Sequence, residues 1–578
     1  MRKPIGVLLV IIMSAACVIW AQTPSTEIKV DRAQLQAVED LSESLANALL
    51  DLSIATRRMD LSKIAGYFAE EIDAEALPSL PGALSPGVKW IEVHAWEVEE
   101  KYRPKLSEEP AGKKRKKSKG KDDASIPKPD KSAFLAQLGA LLGHFSEIED
   151  ARFKVKDATF PDPATPAGDA KLGFYIVGRD LDGRREWLRG VSYVSAARTG
   201  EAWRITKWRT ESLKSDVTTK DLFSDVAEPA GIARAYPAFG VPPNDGFVAH
   251  GGAAGDVNGD GLLDLVLTEP DGNRLFLGDG KGSFEDASEK TLVKFAPPGT
   301  GALILDYDND GDKDIFLSAV GNQVLLENYT DPNKIWTFRD VSEQAGVAVP
   351  AVGFSAAAAD VNNDGRPDIY VASYNKYGAV MPNSWSRATN GTPNLLFINI
   401  GNGLFRESAR QWRVDDGRWS YAAAFADVDI DGKQDLYVAN DFGENALFMN
   451  KGQMFEDEAL RRGVLDPGNG MGVAFGDADN DGDLDLHVTN MSSTAGNRIL
   501  GRLMPGATPS TSVLKKLAAG NTLYQNRGNG YFDDVSEKAG YFSAGWAYGG
   551  GFLDFDNDGW EDEFSVNGFV SGSSMADT

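Results

Sequence analysis

Asp477-Ala478-Asp479-Asn480-Asp481-Gly482-Asp483-Leu484-Asp485, followed at once by the apolar run Leu486-His487-Val488, is one copy of a motif that recurs through the second half of this chain. Written Asp-x-[Asp/Asn]-x-Asp-Gly-x-x-Asp, it spans Asp256–Asp264, Asp306–Asp314, Asp360–Asp368, Asp427–Asp435, Asp477–Asp485 and Asp554–Asp562. One copy arises easily by chance. Six, each feeding a strand-like stretch, describe a repeating unit with a cation loop built in. Alternating carboxylates converge on one ion when the backbone curls, and glycine at position six permits that curl. The expected ligands are Asp256, Asn258, Asp260 and Asp264; Asp306, Asp308, Asp310 and Asp314; Asp360, Asn362, Asp364 and Asp368; Asp427, Asp429, Asp431 and Asp435; Asp477, Asp479, Asp481 and Asp485; and Asp554, Asp556, Asp558 and Asp562. So complete an oxygen shell suits calcium, because magnesium dehydrates reluctantly. The expectation is up to six Ca2+ ions. Their plain role is structural, stiffening a hairpin in each repeat; the alternative is an ion that bridges a ligand directly.

A second signal interleaves with the loops: Leu-Tyr/Phe-x-Asn-x-Gly-x-Gly-x-Phe-x-Asp-Val-Ser, cleanest at Leu523–Ser536, with variants at Leu275–Ser288, Leu325–Ser342, Leu396–Ser408 and Leu447–Glu458. Its glycine-rich centre reads as a hairpin turn. Each unit is therefore strand, acidic loop, strand, connector, strand, turn, strand. Four strands in roughly 50 residues is the pattern of a β-propeller blade. The predicted fold is mainly β: a calcium-binding β-propeller over 222–578, six blades favoured and seven left open, preceded by a small α+β domain. Leu222–Glu228 matches the outermost strand of the repeat and is expected to close the ring.

The chain has 578 residues, long enough for several domains, and a net charge of -26, to which the loops contribute heavily. That acidity argues against nucleic acid as a partner. Arg2, Lys3, the apolar stretch Ile5–Trp20 and Ala21 read as a signal peptide over 1–21, with an uncleaved anchor as the alternative. Ser14 sits where a lipobox wants an aliphatic residue, against a lipoprotein at Cys17. The expected location is exported, periplasmic or extracellular, with no transmembrane span in the mature chain. Cys17 is the sole cysteine and the four histidines are scattered, so neither a disulfide nor a zinc centre is expected. Residues 33–75 carry helical periodicity and Trp90–Val98, Ala170–Gly178, Glu186–Ala196 and Trp203–Glu211 read as strands, giving an α+β domain over 33–213. Within it, 104–131 holds the run Lys113–Lys121 and is expected to be a disordered basic loop.

The α+β pattern resembles the SnoaL-like cone. The acidic repeats resemble those of FG-GAP/VCBS propeller proteins. Gly470–Asn490 and Trp546–Asn567, with its Asn-Asp-Gly-Trp-Glu-Asp core, are similar to the cartilage acidic protein (ASPIC/UnbV) family, although no UnbV segment is recognisable at the end. The resemblance implies an extracellular calcium-binding propeller used in adhesion or recognition.

Six positions before each loop stand His250, Thr300, Phe354, Tyr421, Met471 and Tyr548, which should ring the channel; Trp419 and Trp546 lie eight before theirs. The connector Ser373–Pro393 adds Tyr374 and Trp385, and Asn490–Gly520 is expected to emerge on the same face. His250, Phe354, Trp419, Tyr421, Trp546, Tyr548, Tyr374 and Trp385 are thus ligand candidates for a sugar or a peptide. Packing between blades is the plainer reading of these aromatics. His487 matches Val266, Phe316, Tyr370, Tyr437 and Phe564 in other blades, which says packing, and Asp441-Phe442-Gly443 lacks every kinase element around it. No catalytic residue is assigned. The leading function is a recognition or adhesion module for an extracellular protein or glycan; the alternative is a calcium-dependent polysaccharide lyase or hydrolase, with Tyr421 or Tyr548 as base.

Overall fold

A computed structural model describes residues 32–80, 82–85, 89–96, 129–233, 251–269, 271–330, 336–376, 379–504, 506–508, 512–541 and 545–567. The expected leader, Cys17, most of the basic loop and His250 lie outside these residues. Among the described residues two compact units emerge: 32–224 together with 493–508, and 225–492 together with 512–567.

The first unit begins with helix α1 (Arg32–Arg57), whose Leu41, Leu45, Leu49 and Leu52 recur at three- and four-residue steps and are buried in one stripe. Asp60 caps a short second helix, α2 (Leu61–Ala65), by accepting the Lys63 N–H. The helical pattern expected to 75 stops there. Phe68–Ala74 is instead strand β1, because pairing with a long strand outweighs local propensity. Then come β2 (Ala83–Ser85), β3 (Ile91–Trp96), helix α3 (Lys131–Leu142), β4 (Phe145–Thr159), β5 (Ala167–Asp180), β6 (Arg185–Thr199) and β7 (Ala202–Thr218). The sheet order is β2-β3-β7-β6-β5-β4, with β1 parallel to β7. Phe68, Phe134 and Trp208 pack ring on ring, at 5.3 to 6.2 Å between centroids, in the core between helices and sheet.

Helix Thr494–Leu503 also belongs to this unit, although the chain reaches it from the long connector after Asn490. Buried Arg498 pairs with buried Glu39 of α1 and donates to the Val155 carbonyl at 3.0 Å. Arg502 pairs with the same Glu39 and donates to Ala158 O at 2.8 Å. The connector is therefore not simply a loop on a binding face.

The second unit contains six sheets among the described residues. Their first strands are Gly252–Gly255, Gly301–Leu305, Pro350–Ala359, Trp419–Ala426, Gly470–Gly476 and Ala547–Leu553, and each packs on the next in turn. Sheets one, two, four and five have four antiparallel strands; sheet three adds Val320–Asn322 as a fifth. In each of the six, the acidic loop joins the first strand to the second, as expected of blades. Apolar residues from the second and third strands fill the space between adjacent sheets, such as Phe316, Leu325, Ile369 and Phe397 between sheets two and three.

Asparagine rivets these sheets together. The Asn of the Leu-Tyr/Phe-x-Asn motif points its amide at the preceding blade's loop: Asn328 to Val257 O at 2.7 Å, Asn399 to Tyr307 O at 2.6 Å, Asn450 to Val361 O at 2.8 Å and Asn526 to Val428 O at 3.0 Å. All four side chains are buried, so each bond satisfies a carbonyl that water does not reach.

The sixth sheet has two strands, Ala547–Leu553 and Asp562–Asn567, among the described residues. The expected closing strand over Leu222–Glu228 is not a strand. Residues 227–231 form a turn, and Ala230 O accepts the Phe284 N–H of sheet one at 2.9 Å. Thr291 O accepts the Phe338 N–H of sheet two in the same way, so this segment sits where a connector following an outer strand sits. Pro229 removes an N–H that a strand there would offer to its neighbour.

Candidate functional site

The six acidic loops share one backbone geometry. In every loop the first Asp accepts the N–H groups of positions five and six, for example Asp360 from Asp364 at 3.0 Å and Gly365 at 2.7 Å. The Asp at position five accepts the N–H of position seven, as Asp481 does from Asp483 at 2.9 Å. Glycine at position six has positive φ throughout, from +82° at Gly432 to +100° at Gly311, a conformation L side chains rarely adopt. Position four is also left-handed: Asn309, Asn363 and Asn480 donate from there to Gly365 O, Gly432 O and Gly559 O of the next loop.

In the first five loops the ninth-position Asp is buried and structural as well as acidic. Asp314 accepts the Tyr307 N–H on one oxygen and the Asn328 N–H on the other, at 3.2 and 2.8 Å, and Asp264, Asp368, Asp435 and Asp485 repeat this clamp. Burial pushes Asp314 up to about 8 and Asp368 and Asp435 to about 7; neighbouring carboxylates add to the rise, and the backbone N–H groups oppose it.

Donor oxygens of Asp306, Asp308 and Asp314, of Asp427, Asp429 and Asp435, of Asp477, Asp479 and Asp481, and of Asp554, Asp556 and Asp558 lie within 4.8 Å of one another. In the loops at Asp256 and Asp360, Asn258 and Asn362 substitute an amide oxygen at position three. Asp429 Oδ1 and Asp479 Oδ1 are buried with no hydrogen-bond partner among the described residues, while the other oxygens are held by Arg462 and Gln525. A hard divalent cation fits such a donor set and such turned-in oxygens.

The aromatic candidates gather elsewhere, on the first and second strands of sheets three, four and six. Phe354 stands 4.6 Å from Tyr374 and 5.1 Å from Tyr421 between ring centroids, and Tyr374 is 4.9 Å from Trp419. Trp385 packs on Phe442 at 5.1 Å. Tyr421 also reaches Tyr548 of the sixth sheet at 6.1 Å, passing over the fifth. Phe354, Tyr374 and Trp419 are buried, whereas Tyr421, Tyr548 and Trp385 keep part of their surface exposed. Trp546 lies apart, bridged through its backbone to Met491, and Thr300 is spent on the Gly353 carbonyl at 2.6 Å. His487 is fully buried, takes the Tyr541 hydroxyl on Nδ1 at 2.5 Å, and is driven down to about 4 by burial, consistent with packing.

Sequence reasoning passed over Asp441. It is placed six residues after the closing Asp435, where sheet three carries Tyr374 after Asp368. Its carboxylate accepts the Tyr374 hydroxyl at 2.5 Å and the Asn469 amide at 3.4 Å, and burial pushes it up to about 6. That offset, read across blades, was the available signal: it holds Pro270, Val320, Tyr374, Asp441, Met491 and Gly568, and only one is an acid. In the first unit, His144, Asp180 and Glu186 also come together. His144 donates to Glu186 at 2.6 Å, Ser215 holds the other Glu186 oxygen, and Arg184 pairs with Asp180 at 2.8 Å, so the group forms an internal ion-pair network.

The sequence profile described as FG-GAP-like repeat matches residues 256–317, 306–371 and 428–488, so this part of the chain carries FG-GAP-like repeats. Among curated proteins, the chain is similar to cartilage acidic protein 1 of Homo sapiens, 28% identical over 274 residues, and to that of Mus musculus, 27% identical over 268 residues. These alignments cover 41% of this chain, and the chain spans about 40% of the length of those relatives. Among solved structures, an Agrocybe aegerita lectin described as recognising non-reducing terminal N-acetylglucosamine shares 13% identity, at a TM-score of 0.29, over 61% of this chain and 76% of that one. A hexachlorocyclohexane dehydrochlorinase shares 11% identity at a TM-score of 0.18 over 30% of this chain and 90% of its own. Among the described residues, no helix is long and apolar enough to cross a membrane.

Proposed function

We propose that this chain is an exported recognition module whose propeller, with calcium in its acidic loops, presents a binding face to an extracellular protein or glycan. The hydrogen-bond geometry that the first Asp repeats in all six loops supports the reading. The same Asp-to-backbone bonds recur in every blade, and Asp429 and Asp479 each keep one buried oxygen with no hydrogen-bond partner among the described residues. Calcium there is structural: it neutralises crowded carboxylates and fixes each hairpin, much as a disulfide would.

The part-exposed aromatics, centred on Tyr421 and Tyr548, are the surface best suited to a ligand. The lyase alternative is the weaker reading. Burial, each other's charge and Asp441 raise Tyr421 well above the ordinary phenol range, and burial and Asp441 push Tyr548 up to about 12. Phenols so shifted are poor bases at neutral pH.

The test is a glycan array and an extracellular-protein array probed with the full chain, once in calcium and once in EGTA. The expected result is retention of at least one macromolecule in calcium and its loss in EGTA. Retention of nothing in calcium sinks the recognition reading, and equal retention in both buffers sinks the calcium requirement.

A further inference from the structure

We propose that the part-exposed edge of the aromatic cluster binds an alkylammonium cation, with Asp441 as its counter-charge. The proposal names a ligand class for the recognition face and rests on that reading for its biological use, not for its chemistry.

Asp441 ends the strand Asp435–Phe442 in an aromatic setting. Its carboxylate has two neutral donors, the Tyr374 hydroxyl and the Asn469 amide, and no Lys, Arg or His pairs with it among the described residues. Neutral donors compensate a desolvated carboxylate poorly, whereas a cation compensates it fully. Tyr374, whose hydroxyl Asp441 holds, stands 5.8 Å from Tyr421 between ring centroids, which brings Tyr421 and its neighbour Tyr548 to the side of the carboxylate. Their rings, 6.1 Å apart, supply the faces that attract a cation seated within about 6 Å of each centroid.

The chemistry selects among cations. A calcium ion takes six to eight oxygens, and one carboxylate with two phenols is too few. A guanidinium prefers both carboxylate oxygens in a fork, but Oδ2 of Asp441 is already engaged by Tyr374. A compact ammonium on an apolar stem needs one anionic oxygen and aromatic walls, and both are present. The cation is either a free methylated amine or a lysine-type side chain on a peptide.

The experiment is calorimetric titration of the calcium-loaded full chain with choline, with N-acetyl-lysine methylamide, and with the neutral choline isostere 3,3-dimethylbutan-1-ol. One of the two ammonium compounds is expected to bind saturably, about tenfold or more tighter than the neutral alcohol. Choline alone binding assigns a free amine; the lysine compound alone assigns a peptide-borne one. Asp441→Asn keeps an acceptor for Tyr374 and is expected to weaken binding about tenfold while the protein melts no earlier than wild type at neutral pH. As a second readout, wild-type affinity should fall as pH drops through about 6, and Asp441→Asn affinity should stay flat. No saturable binding, equal affinity for the neutral alcohol, or unchanged affinity in Asp441→Asn overturns the proposal. A positive titration beside blank arrays removes the recognition reading and leaves the site; the reverse removes only the site.

Discussion

Ile430 is the one β-branched residue at the left-handed fourth position of an acidic loop, with φ +56°, and it is 68% exposed. Its counterparts Asn309, Asn363 and Asn480 reach the next loop's glycine carbonyl at 3.2, 3.1 and 2.8 Å. Ile430→Asn should therefore stabilise the propeller. Relieving a β-branched residue in the left-handed region returns about 1 kcal/mol. A solvent-facing hydrogen bond to Gly482 O adds about 0.5 to 1 kcal/mol. Little buried apolar area is forfeited, so the expected net gain is about 1.5 to 2 kcal/mol. The reciprocal change, Asn363→Ile, installs the strain, deletes the bond to Gly432 O, and should cost a similar amount. Urea unfolding in saturating calcium, followed by near-ultraviolet circular dichroism, reads both as opposite shifts in midpoint at constant slope. A lowered midpoint for Ile430→Asn, or no change for Asn363→Ile, would refute the reasoning, since both depend on the same left-handed position.

Exhaustive EGTA treatment should lower the propeller's melting temperature by many degrees, and an unchanged transition would remove calcium as a staple. In the first unit, Arg498→Met leaves Glu39 buried beside Arg502 alone; a loss of about 3 kcal/mol is expected from that unit's unfolding, and a loss below about 0.5 kcal/mol would show the pair to be idle. Asp441 has a folded-state value near 6, above its unfolded value, so the native state holds the extra proton. Its presence makes stability highest at low pH and costs about 3 kcal/mol as pH rises from about 4 to above 6. Asp441→Asn should remove that slope from the stability profile, and an identical profile in the variant would contradict the burial assigned to it.

The parts of the fold that were legible were those written locally. Each loop declares its glycine at position six and its acids at alternating positions, and the backbone adopts the curl those residues permit. What was not legible depends on partners far along the chain. The motif asparagines were visible, but Asn328 and Asn526 spend their amides on carbonyls 71 and 98 residues earlier. Arg498 finds Glu39 across 459 residues, so helix Thr494–Leu503 looked like a loop. β4 was missed for a different reason: bulges between Phe145 and Glu147, Ile148 and Asp150, and Val155 and Asp157 break the two-residue alternation that marks a strand. Half of the aromatic ligand candidates came from one offset, and most of the set does converge; Asp441 was hidden by its resemblance to an unrelated triplet.

If the loops take up ions as proposed, the asparagine links govern how they fill. Forward links run from loop two to three and from three to four, and again from five to six; backward links bind each of blades two to five to its predecessor. Loops joined in this way behave as a short linear lattice, in which an ion that rigidifies one site lowers the ordering cost at its neighbour. Ile430 interrupts the forward half of that lattice between loops four and five. Forward coupling should thus run in two blocks, loops two to four and loops five to six, and replacing one exposed side chain would join them.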